Sequence, residues 1–156
     1  MRLSKNFSLK EMTKSITAKR RGIENTPDEQ QIENITELCE KVLQPIRDMM
    51  GPITITSGYR SPDLNTAIGG SSSSQHCAVK GAAADIDICT GECEGKNAEV
   101  FYAIKDNLVF DQLIWEFGSE DCPSWVHVSY NYGKNRKQVL KAVKKNGKTK
   151  YLNYED

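Results

Sequence analysis

The hydrophobic period of the sequence changes at Gly51, and this change constrains the fold more than any other feature. Before it, apolar residues recur every three or four positions, as on the buried face of an amphipathic helix. These residues are Ile32, Ile35, Leu38, Val42, Ile46 and Met49. After it, short stretches alternate apolar and polar residues, which is typical of strands with one buried face. The sequence therefore predicts the α+β class, with N-terminal helices packed on a mainly antiparallel sheet.

Local signals place the helix boundaries. Ser8 stands three residues before a glutamate, a capping-box pattern that predicts a short helix, and Gly22 predicts a helix stop. Thr26 and Pro27 predict the N-cap and first residue of the long amphipathic helix. Pro45 should bend that helix or narrow its last turn.

The remaining elements are predicted after Gly51. Residues 58–81 are rich in glycine and serine and read mostly as loop, with a helical turn near 64–68. A helix is expected over 97–108. Asn146-Gly147 is a strong signal for a two-residue hairpin turn. Strands are predicted over 53–56, 84–88, 110–117, 125–130, 138–144 and 149–152.

Length and charge limit the classes of protein. The 156 residues suit one domain over 1–156, with a helical part (1–50) and a part holding the sheet and loops (51–156). Twenty-one basic residues balance 21 acidic ones, so no overall field favours nucleic acid or an anionic membrane. No apolar run approaches the roughly 20 residues of a membrane span. A monomer without a transmembrane segment is expected.

Five cysteines are present, which is an odd number for a disulfide framework. The N-terminus has no apolar region typical of a signal peptide, so reduced loop and core thiols are expected. Cys89 and Cys93 are the only close pair, and two alternatives stay open for them. They could form a small loop disulfide or hold a metal with Cys77 or Cys122.

Two histidines, His76 and His127, are the only ones in the chain. His76 ends the glycine- and serine-rich loop, just before a predicted strand that presents Asp85 and Asp87 on one face. His127 shares a strand face with Trp125, because side chains alternate with a period of two. Two neutral imidazoles and one carboxylate would supply three zinc ligands and leave a fourth position for water.

Several motifs together are similar to a known family. They are SGYRSPDLN (57–65), AIGG (67–70), SQH (74–76), GAAAD (81–85) and WVHVSY (125–130). The sequence resembles the zinc D-Ala-D-Ala carboxypeptidase family, peptidase family M15, and in particular its small phage and prophage members, some of which serve as endolysins. The resemblance covers nearly the whole chain. It implies a small α+β domain like that of hedgehog signalling proteins.

The resemblance also implies roles for individual residues. Zinc would be held by His76, Asp85 and His127. Arg60 matches an arginine that faces the substrate, at its carboxylate or at the developing oxyanion. Ser74 and Gln75 are expected to shape the loop beside the metal and contact the substrate. Independently of the resemblance, Trp125 could line a substrate groove, although a tryptophan on a strand is more often a core residue.

Two departures from the family pattern need an account. His76 and Asp85 are nine residues apart instead of the usual seven, which keeps Asp87 open as an alternative ligand, although Asp85 is preferred. The usual acidic residue three positions before the last histidine is replaced by Ser124, which cannot act as a general base.

We expect Glu116 to act as the general base, because a residue on a strand is held more firmly than one on a loop. Glu120 and Asp121, in the loop that follows, are the alternatives. If none of these carboxylates serves, the domain would hold zinc without cleaving.

The implied activity is zinc-dependent hydrolysis of a peptide bond in bacterial peptidoglycan, of the D,D-carboxypeptidase or endopeptidase type. The expected setting is phage or prophage lysis, with the protein moving from the host cytoplasm to the cell wall through a holin or a damaged membrane, or carried in a virion. One alternative is a catalytically silent wall-binding or phage structural domain that contains zinc. Another is an interaction domain without metal.

A basic run over 134–150 holds eight basic residues and no acidic one. Lysines along edge strands discourage sheets of different molecules from pairing, and this interpretation is preferred. Attraction to anionic cell-wall polymers is the alternative.

Overall fold

Helices precede most strands along the chain, which confirms the α+β class. The computed structural model describes residues 1–89 and 95–155. The helices are α1 (Leu9–Thr13), α2 (Ile16–Arg21), α3 (Glu29–Leu38), α4 (Gln44–Met50), α5 (Pro62–Ala67) and α6 (Lys96–Asn107). The strands are β1 (Ile55–Ser57), β2 (Ala82–Ile86), β3 (Gln112–Glu116), β4 (Trp125–Tyr130), β5 (Gln138–Lys145) and β6 (Lys148–Asn153).

The start of α3 differs from the sequence prediction. Asp28 is the N-cap, rather than Thr26, and Pro27 precedes the helix instead of opening it. The Asp28 carboxylate accepts the N–H of Gln31 at 2.8 Å, and the Gln31 side chain accepts the N–H of Asp28 at 2.8 Å. This reciprocal capping box satisfies the backbone N–H groups of Asp28 and Gln31. A helix that began two residues earlier would lack both of these hydrogen bonds.

The proline in the long helix widens it. A π-helical segment, Cys39–Leu43, joins α3 to α4, and the N–H of Gln44 donates to the carbonyl of Cys39. Pro45 has no N–H, and in a regular helix its ring would clash with the carbonyl four residues earlier. The wider turn relieves this conflict, so the expected narrowing of the last turn is wrong.

One sheet carries all six strands in the order β1-β2-β4-β3-β5-β6. Neighbouring strands are antiparallel except β3 and β5, which run parallel. β5 and β6 form the predicted hairpin. Asn146 and Gly147 adopt positive φ angles of 54° and 76°, as this type of turn requires.

The two faces of the sheet have different surroundings. Residues that pair across neighbouring strands point to the same face, and each strand alternates between faces. One face packs against α3 and α6 and belongs to the main hydrophobic core. Its buried residues include Ala84, Ile86, Leu113, Trp115, Val126 and Val128. The opposite face, called here the cleft face, carries Asp85, Ile114, Glu116, His127 and Leu140.

The cysteines only partly follow the prediction. Cys39 and Cys77 are free and buried. Cys89 and Cys122 are disulfide-bonded, so reduced thiols were the wrong expectation for these two. Cys89 follows β2 and Cys122 precedes β4. Because these two strands pair in antiparallel fashion, both cysteines lie at the same end of the sheet. Cys93 lies outside the described residues.

Within residues 1–89 and 95–155, no helix has the length and apolar content needed to cross a bilayer.

Candidate metal centre

Neighbouring strands bring two of the predicted ligands together. Asp85 on β2 lies directly opposite His127 on β4, and Nδ1 of His127 is 3.0 Å from Oδ1 of Asp85. His76 joins them from a 3₁₀ turn (Gln75–Cys77), with its Nε2 3.4 Å from the same carboxylate oxygen. One ligand atom from each of the three residues lies within 4.8 Å of the others.

The turn that carries His76 is fixed by hydrogen bonds. The hydroxyl of Ser74 accepts the N–H of His76 at 3.2 Å, and the His76 carbonyl accepts the N–H of Arg60 at 2.9 Å. Nδ1 of His76 lies 2.7 Å from the carbonyl of Gly58. A proton on Nδ1 would be donated to that carbonyl, which leaves the Nε2 lone pair facing Asp85.

The extra residues between His76 and Asp85 form an excursion. Ala78 adopts a positive φ of 58°, and the side chain of Val79 is 68% exposed. Asn34, on α3, donates to the carbonyl of Ala78 at 2.8 Å and holds the excursion on the helix. The longer spacing therefore leaves His76 and Asp85 together.

Asp87 does not join the group. It follows the end of β2, and its Oδ1 accepts hydrogen bonds from the side chain of Asn97 at 2.9 Å and from the N–H of Cys89 at 3.1 Å. The preference for Asp85 over Asp87 agrees with this geometry.

Electrostatics favour the ionised form of Asp85 and the neutral form of His76. Burial alone would raise the pKa of Asp85, but the neighbouring His76 and His127 outweigh it and hold that pKa well below its usual range. Burial lowers the pKa of His76 against the opposing attraction of Asp85. Asp85 is therefore ionised and His76 neutral near pH 7, as metal ligands must be.

These residues fit a zinc ion. Zinc takes nitrogen and carboxylate ligands at about 2.0–2.1 Å in a tetrahedron, which places the ligand atoms about 3.4 Å apart. The separations of 3.0 and 3.4 Å from Asp85 Oδ1 lie close to this spacing. Three protein ligands on an open cleft leave a fourth position for water or substrate.

Arg60 lies beside the candidate ligands. Its Nη2 is 3.7 Å from Oδ2 of Asp85, and its Nη1 donates to the side chain of Asn65 at 3.3 Å. Its Nε donates to the hydroxyl of Ser57 at 3.3 Å. These contacts orient the guanidinium along the lining of the cleft, next to the metal-binding group.

Glu116 is a buried carboxylate on the same sheet as this group, and it interacts electrostatically with His127 and Asp85. It lies on the cleft face, one row beyond the His127 row, and is only 6% exposed. Its pKa is raised to about 7, mainly by burial, with His127 opposing the shift and Asp85 adding to it. The alternatives Glu120 and Asp121 are exposed in the following loop, outside the lining of the cleft.

The three expected substrate contacts differ in their surroundings. Trp125 lies on the cleft face with its ring 5.4 Å from that of Phe117. Ser74 lines the cleft but its hydroxyl caps the His76 turn. The side-chain amide of Gln75 donates to Asp111 at 2.8 Å and to the carbonyl of Lys80 at 3.0 Å, so it holds the loop in place.

Asp111 is a site residue that the sequence analysis missed. It is 2% exposed and accepts three hydrogen bonds from Arg136, at 2.9 Å from the backbone N–H, 2.9 Å from Nε and 3.0 Å from Nη2. Burial would raise the pKa of Asp111, but the hydrogen bonds from Arg136 and Gln75 outweigh it and lower that pKa. Through Gln75, Asp111 ties the His76 turn to the start of β3.

The three candidate ligands, Arg60 and Glu116 all line one open cleft of about 1050 Å³. An α+β sheet that presents an open three-ligand metal group, with a buried carboxylate and an arginine alongside, has the arrangement typical of metal-dependent hydrolases.

Comparison with known proteins gives the family. The family model for Peptidase M15 matches residues 5–129, which is well over half of the chain. The chain therefore belongs to the peptidase M15 family, and the resemblance seen in the motifs is confirmed at that level. No curated protein matches the chain. The matched region contains the candidate ligands, Arg60 and Glu116, and ends before the β5–β6 hairpin.

Proposed function

We propose that this chain is a zinc-dependent peptidase that hydrolyses a peptide bond in bacterial peptidoglycan, as a D,D-carboxypeptidase or an endopeptidase. One observation carries the proposal. His76, Asp85 and His127 converge in the open cleft of a chain that belongs to a peptidase family, and the separations of 3.0 and 3.4 Å from Asp85 Oδ1 suit a tetrahedral metal ion.

Three side chains would hold the zinc ion. His76 and His127 would each supply one imidazole nitrogen, and Asp85 would supply one carboxylate oxygen. When bound there, zinc supplies a Lewis acid that polarises the scissile carbonyl and lowers the pKa of the attacking water. Gly58 holds His76 in the required orientation through its carbonyl.

Glu116 is the proposed general base. A carboxylate with a pKa near 7 can accept a proton from water at neutral pH and then return it to the leaving amine. Pairing of Glu116 with Trp125 on one side and Ala142 on the other fixes the backbone position from which its carboxylate extends. Ser124, at the usual place of the acid, is exposed and donates only its backbone N–H to the carbonyl of Glu116 at 2.9 Å.

Arg60 would stabilise the negative charge that develops on the carbonyl oxygen. Its guanidinium is held on the cleft lining by Ser57 and Asn65, so little reorganisation is needed when that charge appears. In the ground state Arg60 faces Asp85 and offsets part of the charge of this carboxylate.

The proposed setting is cell-wall degradation of the endolysin type in phage or prophage lysis, by a monomer acting outside the cytoplasm. The disulfide-bonded Cys89 and Cys122 support the last part, because disulfides persist in oxidising compartments.

The test joins metal content to product formation. Zinc would be quantified in the purified protein, which would then be incubated with peptidoglycan, and the new peptide ends would be identified by mass spectrometry. We expect about one zinc per chain. His127→Ala should lose both zinc and activity, whereas Glu116→Gln should keep zinc and lose turnover.

Each other outcome has a defined meaning. Zinc without new peptide ends, on several types of peptidoglycan, would favour a silent wall-binding domain. No zinc in the unaltered protein would overturn the proposal.

A further inference from the structure

The β5–β6 hairpin lies outside the matched family region, yet it forms one side of the cleft. The strand register shows how. Glu116 pairs with Ala142, and Ala142 pairs with Tyr151, so these three side chains share one row of the cleft face. The next row holds Lys144 and Thr149, which pair with each other. The hairpin therefore extends the catalytic face by two strands.

Tyr151, on the hairpin, lies within electrostatic range of the candidate metal centre. Ala142 stands between Tyr151 and Glu116 in this row and is fully buried. Burial, and then the negative charges of Glu116 and Asp85, raise the pKa of Tyr151. The phenol is still 54% exposed, so it borders the cleft without filling it.

Lys144 presents its ammonium group at the cleft. Its Nζ donates to the hydroxyl of Thr149 at 3.3 Å and lies 5.4 Å from the centre of the Phe117 ring. Among the described residues it forms no ion pair with a carboxylate. Alternation along β5 turns its neighbours Val143 and Lys145 to the opposite face.

The lining of the cleft has an excess of positive charge. Two of its three carboxylates are engaged, Asp85 in the candidate metal group and Asp111 with Arg136. The chain as a whole is neutral, so this excess is local. The cations are Arg60, Lys80, Lys134, Arg136 and Lys144, and the carboxylates are Asp85, Asp111 and Glu116.

We propose that the hairpin makes the enzyme selective for anionic peptides, with Lys144 binding a carboxylate of the substrate beside the scissile bond. This inference rests on the proposed peptidase function and names the substrate class of the same cleft. Strand geometry places the Cα of Lys144 about 8 Å from that of Glu116. The lysine side chain can therefore reach a group about one residue from the bond that Glu116 serves.

The distribution of the basic run supports this assignment. Edge protection explains lysines on both faces of the hairpin, but it does not explain a lysine oriented by Thr149 and Phe117 along a catalytic cleft. Lys145, the adjacent lysine, does not line the cleft. The two lysines therefore form a matched pair for experiment.

The test uses two labelled peptidoglycan stem peptides that differ in one group. One carries a free α-carboxylate on its γ-linked glutamate, and the other carries the carboxamide. Binding would be measured by fluorescence anisotropy with the zinc-loaded full-length Glu116→Gln protein, which should bind without turnover. We expect the carboxylate peptide to bind about 3- to 10-fold more tightly, a preference that decreases as salt is raised.

Variants then assign the preference to one residue. Adding Lys144→Gln should abolish it, and Lys144→Arg should retain it. Lys145→Gln, the same charge change on the other face, should leave it intact. Equal binding of the two peptides, or a preference that survives Lys144→Gln, would overturn the inference.

Cleavage by the unaltered enzyme separates this inference from the proposed function. Cleavage of both peptides at equal rates, together with equal binding, would refute the role of Lys144 and leave the peptidase intact. Selective binding without cleavage by the unaltered enzyme would support the anionic subsite and refute the peptidase.

Discussion

Replacing Glu116 by glutamine should stabilise the metal-free protein at pH 8. Glu116 as a whole residue is 6% exposed, and among the described residues its carboxyl group makes no hydrogen bond or ion pair. Ionising it in the folded state therefore costs free energy, because no partner replaces the lost hydration. Its pKa rises from 4.5 to about 7 as a result.

The size of the effect follows from linkage. Because the folded pKa lies above the unfolded value, the protonated carboxyl contributes stability that is fully present below pH 4.5 and lost as the pH rises through about 7. Each unit of pKa difference corresponds to 1.36 kcal/mol, so the ionised group costs about 3 kcal/mol at pH 8. Glutamine cannot ionise and avoids this cost.

Urea unfolding of metal-free proteins at pH 5 and pH 8 would measure the difference. We expect the free energy of unfolding of Glu116→Gln to exceed that of the unaltered protein by about 3 kcal/mol at pH 8 and by less than about 1 kcal/mol at pH 5. Glu120→Gln, in the exposed loop, should change neither value. If the stability difference between Glu116→Gln and the unaltered protein were no larger at pH 8 than at pH 5, the burial argument would be refuted.

Three further predictions concern other parts of the molecule. Asp111→Asn should lower the free energy of unfolding by about 2 kcal/mol in urea titrations at pH 7, because charge-assisted bonds to Arg136 are lost. Since the folded pKa of Asp111 is lowered, this deficit should shrink as the pH falls through that pKa. A deficit that stays constant with pH would contradict the assignment. Arg60→Lys should keep zinc, as measured by elemental analysis, but reduce kcat about 100-fold, because a lysine cannot reproduce the guanidinium contacts at the oxyanion; an unchanged kcat would remove Arg60 from the mechanism. Peptide mapping without reductant should find Cys89 and Cys122 in disulfides. Burial raises the pKa of Cys39 to about 12, so this thiol should resist alkylation at neutral pH. Rapid alkylation of Cys39 in the folded protein would contradict its burial.

Features that depend on local sequence could be predicted well. The alternation over β4 and the Asn146-Gly147 turn each arise within a few residues, and the structure has both. The proximity of His76, Asp85 and His127 could also be expected, because the chain has only two histidines and its motifs resemble those of one family. The cap of α3 was harder, since Thr26 and Asp28 are both good N-caps and only the reciprocal bond from Gln31 decides between them.

Features that depend on strand order could not be predicted from local signals. Asp111 and Arg136 are separated by 25 positions in the sequence and meet only because β3 and β5 run parallel with their first residues side by side. Cys89 and Cys122 likewise come to one end of the sheet because β2 ends beside the start of β4. Neither arrangement leaves a periodic signal in the sequence.

The alternation of core and cleft residues along the sheet also determines how this protein can change over evolution. Substituting Ile114 or Leu140 would alter the shape of the cleft and leave the opposite, core-packed face in place. Deleting one residue from β4 would instead turn His127 toward the core and a valine toward the cleft. Substrate range can therefore diverge by point substitution, whereas insertions and deletions are confined to loops, as the excursion between His76 and Asp85 illustrates.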